Sequence, residues 1–274
     1  MRLTTTDGIS IHIRRQGAGP EPILFVHGSF ASSRWWMPAT ALLSPAVFTT
    51  YLVDLRGCGD SDRPADPAGY SVERQAHDIA AVVDGLGLTG LHLVGHSLGA
   101  AIALTYAADH AHRLRSLTLV STPSPEGTPT PPAGYELLAR MRDDRGLLAQ
   151  ALAAVMPARP PDPLFQQLVT DAANQAPAAF TASAQALENW RLAREARARL
   201  RLPVLLMWGE RDQYVERSVQ NQLLLSIPGA NNLEVFQGCG HSPMLERTEG
   251  FVQALLEFIG QDFETYAALR DMGE

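Results

Sequence analysis

Lysine is absent from this chain: every one of its 22 basic residues is arginine. That excludes Schiff-base chemistry, a phosphate-loop lysine and a Ser-Lys dyad together. Cysteine is almost absent as well. Cys58 and Cys239 show neither metal-ligand spacing nor a disulfide framework, so a reducing compartment is expected and a bound metal is not. No run approaches the 18 apolar residues of a membrane span. The first ten residues, MRLTTTDGIS, have no apolar core of a secretory leader. A cytoplasmic location without a membrane partner is therefore expected. Excess positive charge is missing too; the net charge of -7 argues against a nucleic-acid partner. The expected partner is a small-molecule substrate, and the expected assembly a monomer or homodimer. What is present is ample apolar material: 274 residues, 46% hydrophobic, suit one large domain or one with an insertion.

The most informative stretch is Leu91 to Ala100, LHLVGHSLGA. A short apolar run, Leu91 to Val94, reads as a buried strand that leads directly into Gly95-His96-Ser97-Leu98-Gly99, and an apolar helix runs on to about Asp109. This is the G-x-S-x-G pattern. A strand that reverses into a helix brings the positions two before and two after the serine close together, so both must lack side chains. The serine itself takes a strained backbone with its hydroxyl lifted clear of the sheet edge. Five residues alone are a weak signal; the flanking strand and helix give it weight.

In chain order, residues 2 to 15 read as a hairpin around Asp7-Gly8, with Ile9, Ile11 and Ile13 alternating after it. Pro22 to Val26 and Phe48 to Val53 read as buried strands. A helix is expected from Ser33 through Trp35 and Trp36, and Ser71 should cap another through Val83. Gly85 to Gly90 spells G-x-G-x-x-G, but in the order helix, glycines, strand. A dinucleotide site needs strand, glycines, helix, so these glycines are assigned to helix termination and no cofactor is implied. Leu117 to Val120 is a further strand. From residue 123 the strand–helix alternation stops. A Pro-rich loop precedes helices expected near 134–156, 162–175 and 178–200. Strands resume at Pro203 to Trp208 and Asn232 to Phe236, and a final helix is expected from about Ser242 to Ile259. The pattern implies an α/β fold with a mostly parallel sheet flanked by helices, residues 1–122 and 200–274 forming the core and 123–199 an all-helical insertion.

In such sheets functional groups collect where strands end. The strand ends here carry His27-Gly28-Ser29, Asp54, Ser97, Ser121-Thr122, Glu210 and Asp212, and His241. Serine is a poor nucleophile at neutral pH and needs a base in hydrogen-bond reach; the base needs an acid to hold its tautomer. Ser97, Asp212 and His241 supply the three in chain order. Glu210, two residues from Asp212 on the same loop, is a competing acid. The other histidines carry less. His110 and His112 lie near a helix C-terminus, where imidazole is favoured electrostatically, and His12, His77 and His92 lie on ordinary elements.

With these residues assembled, the chain resembles the α/β-hydrolase fold superfamily, in its capped, cofactor-free serine type. The matching stretches beyond the elbow are LFVHGSF, DLRGCGDSDRP, LRSLTLVS, PVLLMWGERD and GCGHSPMLERTEGF. The resemblance implies an eight-stranded, mostly parallel sheet and makes 123–199 a helical cap. It implies a Ser97–His241–Asp212 triad, the acid falling at Asp212 by the family's G-x-x-D pattern. It implies an oxyanion hole made by the backbone N–H groups of Ser29 and Leu98, with neither cofactor nor metal. Hydrolases of this fold with an aspartate nucleophile do not match, because position 97 is serine.

The resulting expectation is an esterase- or lactonase-like serine hydrolase acting through an acyl-enzyme on a small to medium, largely apolar carboxylic ester, thioester or lactone. Phe30, Trp36, His96, Trp190, Tyr214 and Met244 are the candidate pocket residues, although large aromatics more often pack than bind. Two alternatives remain open. The same triad could cleave a carbon–carbon bond or carry out perhydrolysis, or the fold could serve as a non-catalytic ligand-binding protein.

Overall fold

The computed structural model describes residues 1–261; residues 262–274, which the sequence assigns to the core, lie outside the described residues. Eight strands form one sheet in the order β1-β2-β4-β3-β5-β6-β7-β8. β1 (Arg2–Thr4) and β2 (Ser10–Gln16) make the expected antiparallel hairpin, with Gly8 at a φ of 83° in its turn. β2 is also antiparallel to β4 (Phe48–Val53). All other neighbours are parallel: β3 (Glu21–Val26) with β4 and β5 (Leu91–His96), then β6 (Leu114–Val120), β7 (Val204–Gly209) and β8 (Ala230–Phe236). The chain steps from β3 to β4 on one side and returns to β5 on the other. The carboxyl ends of β3 and β5 therefore flank the point where strand order reverses, the place where such sheets open a crevice.

Both faces of the sheet are covered, so its strands read as continuous apolar runs. On β3, Leu24 and Val26 join one core cluster and Ile23 and Phe25 the other, the period-two split of a strand buried on both sides. The first cluster is completed by α2 (Val72–Gly85) and α3 (Leu98–His110), together with α9 (Arg217–Ser226). The second holds α1 (Met37–Thr40), α10 (Pro243–Glu246) and α11 (Thr248–Ile259). Ser71 caps α2 by accepting from the Arg74 N–H at 3.1 Å. The Gly85–Gly90 stretch joins α2 to β5, with Gly87 and Gly90 at positive φ, far from the strand ends that carry chemistry.

Between β6 and β7 every regular element is helical: α4 (Pro132–Asp143), α5 (Arg145–Ala154), α6 (Pro163–Ala173), α7 (Ala179–Asn189) and α8 (Arg194–Arg197). Several boundaries differ from those the sequence suggests. The helix expected over 134–156 is two, because Asp144 turns extended and its carboxylate caps α5 through the Leu147 N–H. The one expected over 178–200 breaks at Trp190, whose backbone is extended and whose indole N–H donates to Thr105 Oγ1 on α3 at 2.9 Å. The final helix breaks at Arg247. The Ser33 segment is a single 3₁₀ turn leading into α1. Among the described residues no helix is long and apolar enough to cross a membrane.

Candidate active site

Ser97 stands between β5 and α3 at φ 53° and ψ −118°, a region that costs a non-glycine residue about 1–3 kcal/mol. Regular structure on both sides imposes it. The Ser97 N–H continues the β6 ladder to Val120 O at 2.9 Å, while its carbonyl already accepts from Ala100 and Ala101 in the first turn of α3. A Cβ on Gly95 would lie 2.4 Å from Gly99 O, and one on Gly99 would lie 2.3 Å from Val26 O. Both contacts are with backbone, which cannot swing aside. The glycines thus bring α3 against β5 and against the end of β3, and the helix N-terminus opens directly under the serine.

The acid and base arrive on the loops after β7 and β8. These loops are stitched together by Glu210 N–H to Phe236 O at 3.0 Å and Arg211 N–H to Cys239 O at 2.7 Å. Asp212 Oδ1 accepts from the Tyr214 and Val215 N–H groups at 2.9 and 3.0 Å, and Oδ2 accepts from His241 Nδ1 at 2.8 Å. Burial alone would raise the Asp212 carboxyl; the His241 imidazole and those bonds outweigh it and hold it below the usual carboxylate range. Because a carboxylate can only accept, His241 carries its proton on Nδ1 and presents a lone pair on Nε2. Glu210 does something else: its carboxylate accepts from the Gly238 N–H at 3.0 Å and so buttresses the histidine loop.

His96 packs against the His241 loop. It is fully buried, and burial lowers it to about 3, so it is neutral. Its Nε2–H donates to the His241 carbonyl at 2.9 Å, and its ring lies 4.9 Å from the His241 ring. Trp35 stacks on it at 5.9 Å. The residue before Ser97 therefore carries the His241 loop to the end of β5. Among the described residues no hydrogen bond joins Ser97 Oγ to His241.

The loop after β3 completes the site. A Cβ on Gly28 would lie 3.0 Å from Ser97 Cβ and from His96 Nδ1, so Gly28, the residue before Ser29, lies beside the nucleophile. His27 is buried and acts within this loop: Nδ1–H donates to Gly28 O at 2.8 Å, and Nε2 accepts from the Leu55 N–H at 3.0 Å. Phe30 comes next at a φ of 57° and packs edge-on against Phe180 of α7, with ring centroids 5.5 Å apart.

The candidate pocket residues separate. Phe30 lies at the site, and Tyr214, 51% exposed, has its ring 5.4 Å from His241. His96 lies there as a support. Trp36 and Met244 are completely buried; Trp36 packs on Phe25 and Phe251, behind the site. Trp190 lies in the opposite core cluster, against α3. Size and neighbourhood in sequence point these three toward the pocket, but their apolar bulk is used for packing instead.

Two further carboxylates act on the loops; of these, Glu246 is the one that sequence reasoning missed. Glu246 accepts from the Gly240 N–H at 3.0 Å and the Ser242 N–H at 3.2 Å, which closes the histidine loop from α10. Its only signal was its place just after that loop. Asp54 Oδ1 accepts from the Ser33 N–H at 2.6 Å, and Oδ2 contacts His12 Nδ1 at 2.8 Å and the Asp60 N–H at 3.1 Å. His12, Asp54 and Asp60 offer ligand atoms within 4.8 Å of one another, but these hydrogen bonds already account for the Asp54 carboxylate. A polar cleft of about 140 Å³, lined in part by Ser32, Arg34, Asp54, Arg63 and Asp171, lies at the border with the insertion and includes no triad residue. Burial pushes the Cys58 thiol up to about 12 and the Cys239 thiol up to about 11, so neither is a nucleophile at neutral pH.

The chain is similar to known proteins along most of its length. The family model described as alpha/beta hydrolase fold matches residues 21–248. A 2-hydroxy-6-oxononadienedioate/2-hydroxy-6-oxononatrienedioate hydrolase of Cupriavidus pinatubonensis is 28% identical, the alignment covering 94% of either chain. Among solved structures, an esterase from Exiguobacterium antarcticum superposes with a TM-score of 0.87 at 26% identity, over 95% of this chain and 99% of that one. Est816, described as degrading N-acyl homoserine lactones, superposes with a TM-score of 0.78 at 26% identity, over 94% and 100%.

Proposed function

The chain belongs to the alpha/beta hydrolase fold family, and from that premise we propose that it is a serine esterase working through an acyl-enzyme. It is a hydrolase; the bond it cleaves is our reading. The observation that carries that reading is the His241 imidazole, bound through Nδ1 to buried Asp212 with Nε2 left as the base, on a loop tied to the residue before Ser97. Ser97 Oγ attacks the substrate carbonyl carbon while His241 Nε2 takes the hydroxyl proton. The carbonyl oxygen becomes an oxyanion facing the Leu98 and Ser29 N–H groups, where donors aimed at developing charge contribute most. Collapse expels the alcohol, which receives the proton from His241, and leaves an acyl ester on Ser97. Water, deprotonated by His241, attacks that ester and releases the acid.

Substrates of small to medium size with largely apolar acyl groups, whether ester, thioester or lactone, fit the aromatic surroundings of Phe30, Phe180 and Tyr214. The helical insertion 123–199 acts as a cap over the site. Ser97→Ala should lower kcat by about a million-fold on p-nitrophenyl butyrate, and a fluorophosphonate should label wild type but not that variant. Stoichiometric labelling elsewhere would overturn the assignment. Asp212→Asn should cost on the order of ten-thousand-fold, and Glu210→Gln far less, because Glu210 supports Gly238; the reverse ranking would move the acid.

The Cupriavidus relative, similar along nearly its whole length, favours a second reading, carbon–carbon cleavage with the same serine and histidine. Comparing kcat/KM for p-nitrophenyl butyrate with that for a 2-hydroxy-6-oxo-dienoate decides between the two. A preference for the dienoate of more than about tenfold, which is about 1.4 kcal/mol in the barrier, would reverse our choice.

A further inference from the structure

The segment bearing the Ser29 N–H is not self-supporting. Phe30, its next residue, is left-handed at φ 57°, which a non-glycine residue adopts only where its surroundings hold it. The core holds one side through Asp54, whose Oδ1 accepts from the Ser33 N–H at 2.6 Å. The other side is held from the insertion. Asp171 Oδ2 accepts from Ser32 Oγ at 2.6 Å and from Arg34 Nε at 2.9 Å. Ser32 Oγ in turn accepts from the Arg34 N–H at 3.2 Å, which closes the turn. Asp171 lies in the last turn of α6, where the helix dipole disfavours a carboxylate. Helix stability therefore does not account for its presence, but the two donors converging on one oxygen do.

We propose that Asp171 is a positioning residue: by bracing Ser32 and Arg34 from the cap, it sets where the Ser29 N–H meets the oxyanion. This rests on the serine-hydrolase reading above. The cap then contributes to catalysis as well as to enclosure. Removing an oxyanion donor outright costs about 10²–10³ in kcat; loosening one should cost less. Asp171→Ala should lower kcat on p-nitrophenyl butyrate by about 10- to 100-fold while KM changes less than about threefold. Asp171→Asn keeps an oxygen that can accept from both donors and should stay within about threefold of wild type. Gln167→Ala, which cuts only the adjacent contact from Arg34 Nη1, should leave turnover unchanged.

A structural role alone would not discriminate between ground state and transition state. A trifluoromethyl ketone, which forms a tetrahedral oxyanion on the serine, should bind Asp171→Ala weaker by the same factor as kcat falls, while the matching secondary alcohol binds as before. Arg34→Met removes one of the two braced donors and should give a smaller loss in the same direction; it serves as the test should Asp171→Ala not fold. Ser97→Ala runs in the same assay. If it leaves turnover intact, the reading of Ser97 as nucleophile is itself wrong. If it abolishes turnover while Asp171→Ala and Arg34→Met keep wild-type kcat, the reading stands and the brace is overturned. Equal loss of affinity for ketone and alcohol would also overturn it.

Discussion

Around Ser97 the backbone leaves almost no freedom, whereas in the insertion between β6 and β7 nearly all the constraint lies in side chains. At the elbow, Gly95 and Gly99 are fixed by approaches to backbone atoms that no side chain could share, and Gly28 sits tightly against His96 and Ser97. In the insertion, Leu148, Leu152, Met156, Phe165 and Leu168 are buried in one apolar cluster with the second face of the sheet, and apolar residues of similar volume can replace one another there at modest cost. All eight histidines and both cysteines lie outside 123–199. The core holds every histidine and cysteine; the insertion supplies apolar packing and a few polar ties such as Asp171 and Glu188, the latter bonded to Tyr135.

A matched pair of glycine substitutions tests that contrast most severely. Gly99→Ala would place a Cβ 2.3 Å from Val26 O and 2.4 Å from His27 O. Neither carbonyl can move without breaking β3 at its chemical end, so a loss of about 3 kcal/mol or more is expected, at or above the usual ceiling for overpacking. Gly146→Ala in α5 would meet only Asp144 Oδ1, at 3.3 Å. There the better helix propensity of alanine offsets a small adjustment, and the stability read from urea unfolding should stay within about 1 kcal/mol of wild type. Comparable losses at the two sites would erase the distinction.

The same contrast explains what could be read from the sequence. Strands β3, β4 and β7, the hairpin and the elbow were legible because each is dictated locally, by an apolar run ending in residues with special backbone needs; the choice of Asp212 as the acid rested on the resemblance instead. Helix limits in the insertion were not. Asp144 and Trp190 end helices through a cap and an indole bond to Thr105, and nothing in the flanking residues distinguishes that Trp from one that stays helical. Supports that depend on long-range partners were equally hidden. Asp171 meets Ser32 across 139 residues and His96 meets His241 across 145, distances at which spacing carries no information.

Acid should separate the two regions by a smaller margin. Burial lowers His92 to about 4 and His96 to about 3, and it lowers His27 as well. These groups bind protons in the unfolded chain below their ordinary value of 6.5 but stay neutral when folded. The unfolded state therefore binds more protons, and stability falls as pH drops from about 6.5 toward 4. At pH 5 His92 alone should cost on the order of 2 kcal/mol relative to neutral pH. Urea midpoints at pH 7.5 and 5 should show this, and His92→Gln should lose less on acidification. Hydrogen exchange at pH 5 should lose protection in β3 and β5 before α5 and α6. Earlier loss in the insertion would show that its stability, too, is tied to these histidines.

The smallest effect concerns the acyl chain, where the insertion should reveal its shape. Phe180, 2% exposed, comes down on Phe30 from α7; on the esterase reading proposed above, the aromatic pair would close the acyl side of the site. Each methylene buried before that wall is reached gains about 0.8 kcal/mol, or roughly fourfold in kcat/KM. On p-nitrophenyl esters kcat/KM should rise from acetate to about butyrate or hexanoate and then decline. Phe180→Ala removes the wall and should move the optimum to longer chains, with the acetate rate changed by less than about threefold if the variant folds, since burial is lost far from the carbonyl. Its melting temperature, measured alongside, separates that shift from the stability loss expected of a buried Phe-to-Ala change, about 3–5 kcal/mol. An optimum that stays in place while acetate turnover collapses would mean that Phe180 serves the Phe30 turn, and through it the oxyanion loop, and not the acyl chain. The insertion would then act on catalysis through two contacts, Phe180 and Asp171, and on specificity through neither.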